Sequence, residues 1–67
     1  MMEIGRFLPY KGHIGSIEYD FRNETYFGKL LNVNDTITYQ ADNVMDLYDN
    51  YHDTVNCYIE IKGKTNG

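Results

Sequence analysis

The side chains that could do chemistry are few and scattered along the chain. His52 has Asp49 three residues before it and Asn56 four residues after it, which places all three on one face of a helix. A zinc site needs three or four His, Cys or carboxylate ligands. His13 falls on a different element, and at about 100° per residue Cys57 is rotated away from His52. No ligand set closes, so no metal is expected and His52 reads as a solvated histidine. Ser16 and Cys57 are the two side chains that could act as nucleophiles beside a histidine. Neither stands in a nucleophile elbow, and 67 residues leave little volume for a pocket around a reacting centre. Gly12-His13-Ile14-Gly15 is not a phosphate loop, because such a loop opens a helix and this segment reads as strand. The residues point to no catalytic set and no cofactor, and the chain is not expected to be an enzyme.

A different kind of chemistry lies in the row of carboxylates from Asp42 onward. Asp42, Asp46, Asp49, Asp53 and Glu60 project within about 40° of one direction on a helix, and no Lys or Arg occurs between Asp42 and Ile61. Like charges at this spacing destabilise a helix by a few tenths of a kcal/mol per pair. An unrelieved stripe of negative charge serves either as a solubilising surface or as a docking face for a basic partner. Complementary fields speed encounter and fix orientation more than they add affinity.

The composition limits what can carry this stripe. The chain has 67 residues, with six Lys and Arg against ten Asp and Glu, a formal charge of −4, one Cys and one Pro. That length builds one small domain, residues 1–67, with little margin from a single core. Residues 1–7 read as an N-terminal extension and residues 63–67 as a flexible tail. A lone cysteine forms no disulfide framework, which makes the cytoplasm the expected compartment. The opening residues carry no apolar signal region, and no apolar run approaches the length of a membrane span. An acidic domain is poorly suited to phosphate-backbone binding, which relies on Lys and Arg.

Three strands and one helix are expected to position the carboxylates. Tyr10 to Tyr19 is rich in aromatic and β-branched residues and reads as the first strand, with Gly12 and Gly15 marking a bulge or a close backbone approach. A turn around Arg22-Asn23-Glu24 leads to a second strand, Thr25 to Leu31. Asn32-Val33-Asn34-Asp35 turns again, and Thr36 to Gln40 alternates as a third strand. One sheet face then collects Ile17, Tyr19, Tyr26, Leu30, Ile37 and Tyr39. From Asn43 the period changes: Val44, Leu47, Tyr48, Tyr51, Val55, Tyr58 and Ile59 recur at steps of three and four, an apolar arc of roughly 120°. Asp42 is the expected helix cap, with Asn43 as the alternative, and Gly63 ends the helix. The links are too short for parallel crossovers. The expected fold is therefore α+β: a three-stranded antiparallel β-meander followed by one amphipathic α-helix packed on one face, β-β-β-α. Gly28, between Tyr26 and Leu30, is expected to leave room for a large helix residue such as Tyr51. The second sheet face, with Phe27, Leu31 and Thr38, and the sheet edges invite strand addition by a partner or a second copy, so a homo-oligomer is expected.

The whole run resembles one family. Tyr10-Lys11-Gly12-His13-Ile14-Gly15-Ser16-Ile17-Glu18-Tyr19 looks like the opening strand of HicB-type antitoxins. The similarity continues through Phe27-Gly28-Lys29-Leu30-Leu31 and Val33-Asn34-Asp35-Thr36-Ile37-Thr38-Tyr39. It extends into Asp42-Asn43-Val44-Met45-Asp46-Leu47, then Tyr51, Val55 and Tyr58-Ile59-Glu60. It covers about positions 8 to 62 in one register. The resemblance implies a partial ribonuclease H-like domain that binds a small basic HicA-type mRNA-cleaving toxin and masks its catalytic and RNA-binding surface. Asp46, Asp49 and Asp53 on the helix, with Asp35 near a sheet end, are the expected partner-binding residues. The chain departs from the family in three ways. No basic helical region follows the helix, so operator binding is not carried over and no direct DNA binding is expected. A strand that follows the helix in many members is missing. Met45, Asn56 and Cys57 stand where family helices tend to be acidic. The alternative expectation is an orphan stand-alone domain that self-associates without a toxin partner.

Overall fold

The computed structural model describes residues 2–65, with side chains described from Ile4 to Lys62. Four strands form one antiparallel meander, β1 (Met2–Arg6), β2 (Ser16–Asp20), β3 (Thr25–Lys29) and β4 (Thr38–Ala41), in spatial order β1-β2-β3-β4. One helix, α1 (Val44–Thr65), follows. The α+β class, the antiparallel sheet and the closing helix match the expectation; the strand count does not. The segment taken for an N-terminal extension is a strand, pairing Arg6 with Ser16 and Gly5 with Ile17, with the register shifting at Ile4. Met2-Glu3-Ile4-Gly5-Arg6 has two charges and a glycine in five positions, so composition conceals a strand that the neighbouring ladder imposes.

The expected first strand splits in two. Tyr10 and His13 exchange backbone hydrogen bonds of 2.9 Å in each direction. Lys11 and Gly12 between them have φ of 51° and 83°. Positive φ at both central positions makes this a two-residue hairpin turn of the I′ kind. The chain therefore reverses at Lys11-Gly12, and β1 and β2 are joined through it. At the other end of β2, the Asp20 carboxylate accepts hydrogen bonds from the Arg22 and Asn23 backbone N–H groups and from the Asn23 amide, which holds its pKa below the ordinary value. Asn32 ties the first hairpin to the exit of β3: its amide donates to the Gly12 carbonyl oxygen at 2.9 Å and its own oxygen accepts from the Ile14 N–H.

Helix α1 starts at an Asn43 cap. The Asn43 side-chain oxygen accepts from the Asp46 N–H at 2.8 Å, and its amide donates back to the Asp46 carboxylate at 3.0 Å. This reciprocal pair satisfies an open N–H of the first turn and places a carboxylate at the positive end of the dipole. The helix runs two residues past Gly63; the expected flexible tail at 63–67 is helical through Thr65, and its last two residues lie outside the described ones. The core is Leu30 and Tyr39 from the sheet side and Leu47, Tyr51 and Val55 from α1, with Phe7, Tyr10, Ile17, Tyr26, Val33, Ile37, Ala41 and Tyr58 packed around it. Leu47, Tyr51 and Val55 are wholly buried, whereas Val44, Tyr48 and Ile59 from the same expected stripe lie at its exposed margins.

Two glycines decide how closely the layers approach. A Cβ at Gly28 would collide with the Ser16 carbonyl oxygen and lie 2.7 Å from the Tyr39 hydroxyl. The large residue beside Gly28 is therefore Tyr39 from the neighbouring strand, not Tyr51. Tyr51 belongs to Gly15 instead: a Cβ there would lie 2.6 Å from its ring and collide with the Tyr39 hydroxyl. Tyr39 donates to the Ser16 carbonyl oxygen at 2.8 Å, and Tyr51 donates to the carbonyl oxygens of His13, at 2.5 Å, and Leu8, at 3.1 Å. Each phenol thus anchors backbone that the missing Cβ atoms let it reach. Desolvation pushes both phenol pKa values above the ordinary one.

Candidate docking face

The geometry of the candidate nucleophiles leaves them no reacting partner. Ser16 is fully buried; its hydroxyl donates to the Glu18 carboxylate at 2.9 Å and accepts from the Lys29 N–H at 3.0 Å. Both capacities of that hydroxyl serve the sheet. Cys57 is exposed and unpaired. His52 is not solvated as expected: its ring stacks on Tyr10 with centroids 3.8 Å apart and leans on Tyr48 at 4.2 Å. His13 meets Tyr58 edge-on at 5.4 Å, and its Nδ1 is buried without a hydrogen-bond partner. Among the described residues, no three His, Cys, Asp or Glu side chains come together as a metal-holding group. Among the described residues, no helix is long and apolar enough to cross a membrane.

Of the expected stripe, Asp46, Asp49, Asp53 and Glu60 lie on α1, while Asp42 lies before its first residue, Val44. Asp42, Asp46, Asp49 and Asp53 are all exposed. They are not equivalent, however. Asp46 is held in the helix cap by Asn43. Asp35 pairs with Lys62 at 3.4 Å, both side chains being more than half exposed. Lys62 lies sixteen residues beyond Asp46 on α1, about 24 Å at the helical rise. Asp35 therefore sits by the far end of α1 from Asp46, with Asp53 between them along the helix, and does not join the cap end of the stripe. Asp49 and Asp53 remain as exposed charges that accept no hydrogen bond and form no ion pair among the described residues.

The sheet edges are less open than three bare strands would be. The register of β1 breaks at Ile4, which interrupts a continuous template for strand addition. On β4 the Asn50 amide donates to the Gln40 carbonyl oxygen at 2.8 Å, so α1 already occupies part of that edge.

The structure also shows a feature that periodicity concealed. Phe7 leaves β1 and turns under the start of α1, where its ring stacks on Tyr51 at 5.0 Å and meets Tyr48 edge-on at 5.3 Å. Between Phe7 and the helix runs a shallow groove of about 470 Å³ lined by Phe7, Val44, Met45, Tyr48 and Asp49. Met45 is 80% exposed and Leu8, next to Phe7 in the chain, is 83% exposed. Met45 lies off the apolar arc, and Phe7 lies in a segment that looked like an extension. The usable signal was the excess itself: more large apolar side chains than one three-residue helix seam can bury.

No family model matches the chain, and no curated protein or solved structure matches it.

Proposed function

We propose that the chain is a non-enzymatic protein-binding module of the HicB antitoxin type, which neutralises a small basic HicA-type mRNA-cleaving toxin by covering its cationic RNA-binding surface. The observation that carries this reading is the outer face of α1, where Asp49 and Asp53 stand exposed, without an ion pair among the described residues, along a stretch of sequence without Lys or Arg. Unrelieved charge of this kind costs helix stability and is compensated when a cationic surface docks on it. A meander closed by a C-terminal helix agrees with the fold the resemblance implies. Binding takes place in the cytoplasm and uses no cofactor. Asp46 contributes charge but is engaged in the cap, and Asp35 belongs to a separate, weaker patch near Lys62.

The test is calorimetric titration of the chain with a HicA-type toxin encoded beside it. Charge reversal at Asp49→Lys with Asp53→Lys is expected to weaken binding at least about tenfold and to flatten its salt dependence. Toxin RNA cleavage is expected to return in parallel. Unchanged affinity removes the helix face from the interface. A chain that ignores the toxin and sediments as an oligomer supports the orphan, self-associating reading instead, for which the exposed Ile4 on β1 is the favouring feature.

A further inference from the structure

The groove beside the first turns of α1 has an apolar floor and an acidic rim, and the two together specify an occupant. We infer that it receives a large apolar side chain from a basic protein segment, with Lys or Arg on either side of that anchor reaching Asp49 and Asp53. The inference rests on the docking face just proposed and adds to it a specific anchor site. The floor is Phe7, Val44, Met45 and Tyr48, and about 470 Å³ accommodates one large side chain with part of its backbone. Phe7 and Tyr48 are braced by ring contacts with Tyr51, which is wholly buried, so the floor is preformed. Met45 projects beside them almost fully exposed, and methionine adapts its shape to varied partners.

Charge decides between occupants. Asp49 belongs to the groove lining, Asp53 follows it four residues on along the same helix, and the lining contains no Lys or Arg. A second copy of the chain brings a net charge of −4 to this rim and is repelled. A nucleic acid or an anionic membrane surface is repelled for the same reason. A basic protein segment alone gains from both parts of the site: burial of its anchor on the floor and attraction at the rim. Anchors of this kind carry most of an interface's binding energy, while rim charges set encounter and orientation.

The experiment uses the full chain, labelled with ¹⁵N, and an amphipathic probe peptide built from Leu and Lys at helical spacing. Amide shifts are expected at Phe7, Met45, Tyr48 and Asp49. Met45→Ser or Val44→Ser is expected to weaken the peptide about tenfold, since each removes an exposed apolar side chain of the groove lining. Replacing the peptide's Leu by Ser is expected to abolish the shifts at the floor while leaving weak ones near Asp49 and Asp53. Shifts confined to the open sheet face around Phe27 and Gln40 overturn the inference, as does full affinity in both serine variants. So does a dimer of the chain alone that Met45→Ser dissolves, which would assign the groove to a second copy. The same variants titrated with the toxin separate the two readings. Toxin binding that is insensitive to Met45→Ser and Val44→Ser removes the groove and leaves the antitoxin function standing. Peptide binding at the groove without toxin binding does the reverse.

Discussion

Tyr51 and Tyr48 stand three residues apart on α1 and share ring contacts with Phe7 and His52, yet they differ in burial and in what their hydroxyls do. Tyr51 is wholly buried, lies against Gly15, and donates to two backbone carbonyl oxygens. Tyr48 is 42% exposed, its hydroxyl makes no hydrogen bond among the described residues, and only its ring is held, by Phe7 and His52. The interior site is built from absence: Gly15 and Gly28 remove the Cβ atoms that would keep the tyrosines from the backbone they anchor. The outer site is built from excess, with Phe7, Leu8, Met45 and Tyr48 supplying more apolar surface than the fold covers. A domain of this size spends one line of helix residues on its core, and the next line is available for recognition.

The glycines give the strongest way to break this contrast. Gly28→Ala or Gly15→Ala places a Cβ on atoms that cannot all move aside, the Ser16 carbonyl in one case and two tyrosine side chains in the other. Each is expected to cost about 3 kcal/mol or more, enough to unfold much of a domain this small. Gly5→Ala meets only Ile17 Cδ1 at 3.9 Å and is expected to change stability by less than about 0.5 kcal/mol. Urea midpoints of the three variants measure this directly. A stable, native-like Gly28→Ala protein would mean that Tyr39 and Ser16 do not meet as described. The phenols come next. Tyr51→Phe removes the donor to the Leu8 carbonyl oxygen and one of two donors to that of His13, which keeps the Tyr10 N–H, and is expected to cost about 1–3 kcal/mol, whereas Tyr48→Phe is expected to cost almost nothing. Equal effects would erase the distinction between the two sites.

Sequence patterns revealed these regions unequally. Leu47, Tyr51 and Val55 were legible because helical periodicity reports burial, and Tyr39 and Leu30 because strand alternation does the same. Asn43 was legible as one of two caps, but the choice over Asp42 depends on which residue leaves the helical backbone conformation. β1 was hidden, since Met2–Arg6 pairs for reasons that lie in β2 and not in its own composition. Lys11-Gly12 reads as strand in the sequence because the aromatic and β-branched residues around it outweigh a turn of two residues. The partner of Gly28 was misjudged for a related reason: alternation says which face a residue takes, but not whether its neighbour comes from the helix or the adjacent strand. Among the site residues, the shared face of Asp46, Asp49 and Asp53 followed from spacing alone, whereas the remoteness of Asp35 and the groove under Phe7 required three dimensions.

Alkaline pH sharpens the comparison from the interior side. Burial raises the pKa of Tyr39 and Tyr51 above the ordinary 10.0, and for Tyr39 the charges of Tyr51 and Glu18 add to the rise. The folded state thus keeps protons that the unfolded chain releases. The stability these two phenols contribute is fully present below pH 10 and is lost as pH rises beyond the ordinary tyrosine value. Urea midpoints measured on either side of that value are expected to fall in the parent chain and to fall less steeply in Tyr39→Phe. An identical slope in the variant would mean that Tyr39 ionises as freely folded as unfolded.

The smallest stability effect is expected at the outer face, and there a null result carries the information. Asn43→Ala removes the cap and is expected to cost about 1 kcal/mol, even though Asn43 is exposed. Because Asp46 shares that cap, its reversal would mix a folding cost with any binding loss. Asp49 and Asp53 have no such duty. Asp49→Lys with Asp53→Lys relieves like-charge repulsion along α1 and is expected to leave the melting temperature unchanged or slightly raised. A fall would show that these carboxylates hold the fold and are not kept for a partner. If stability holds while cationic binding disappears, helix stability has been given up on this face in favour of recognition, the reverse of the arrangement around Tyr51.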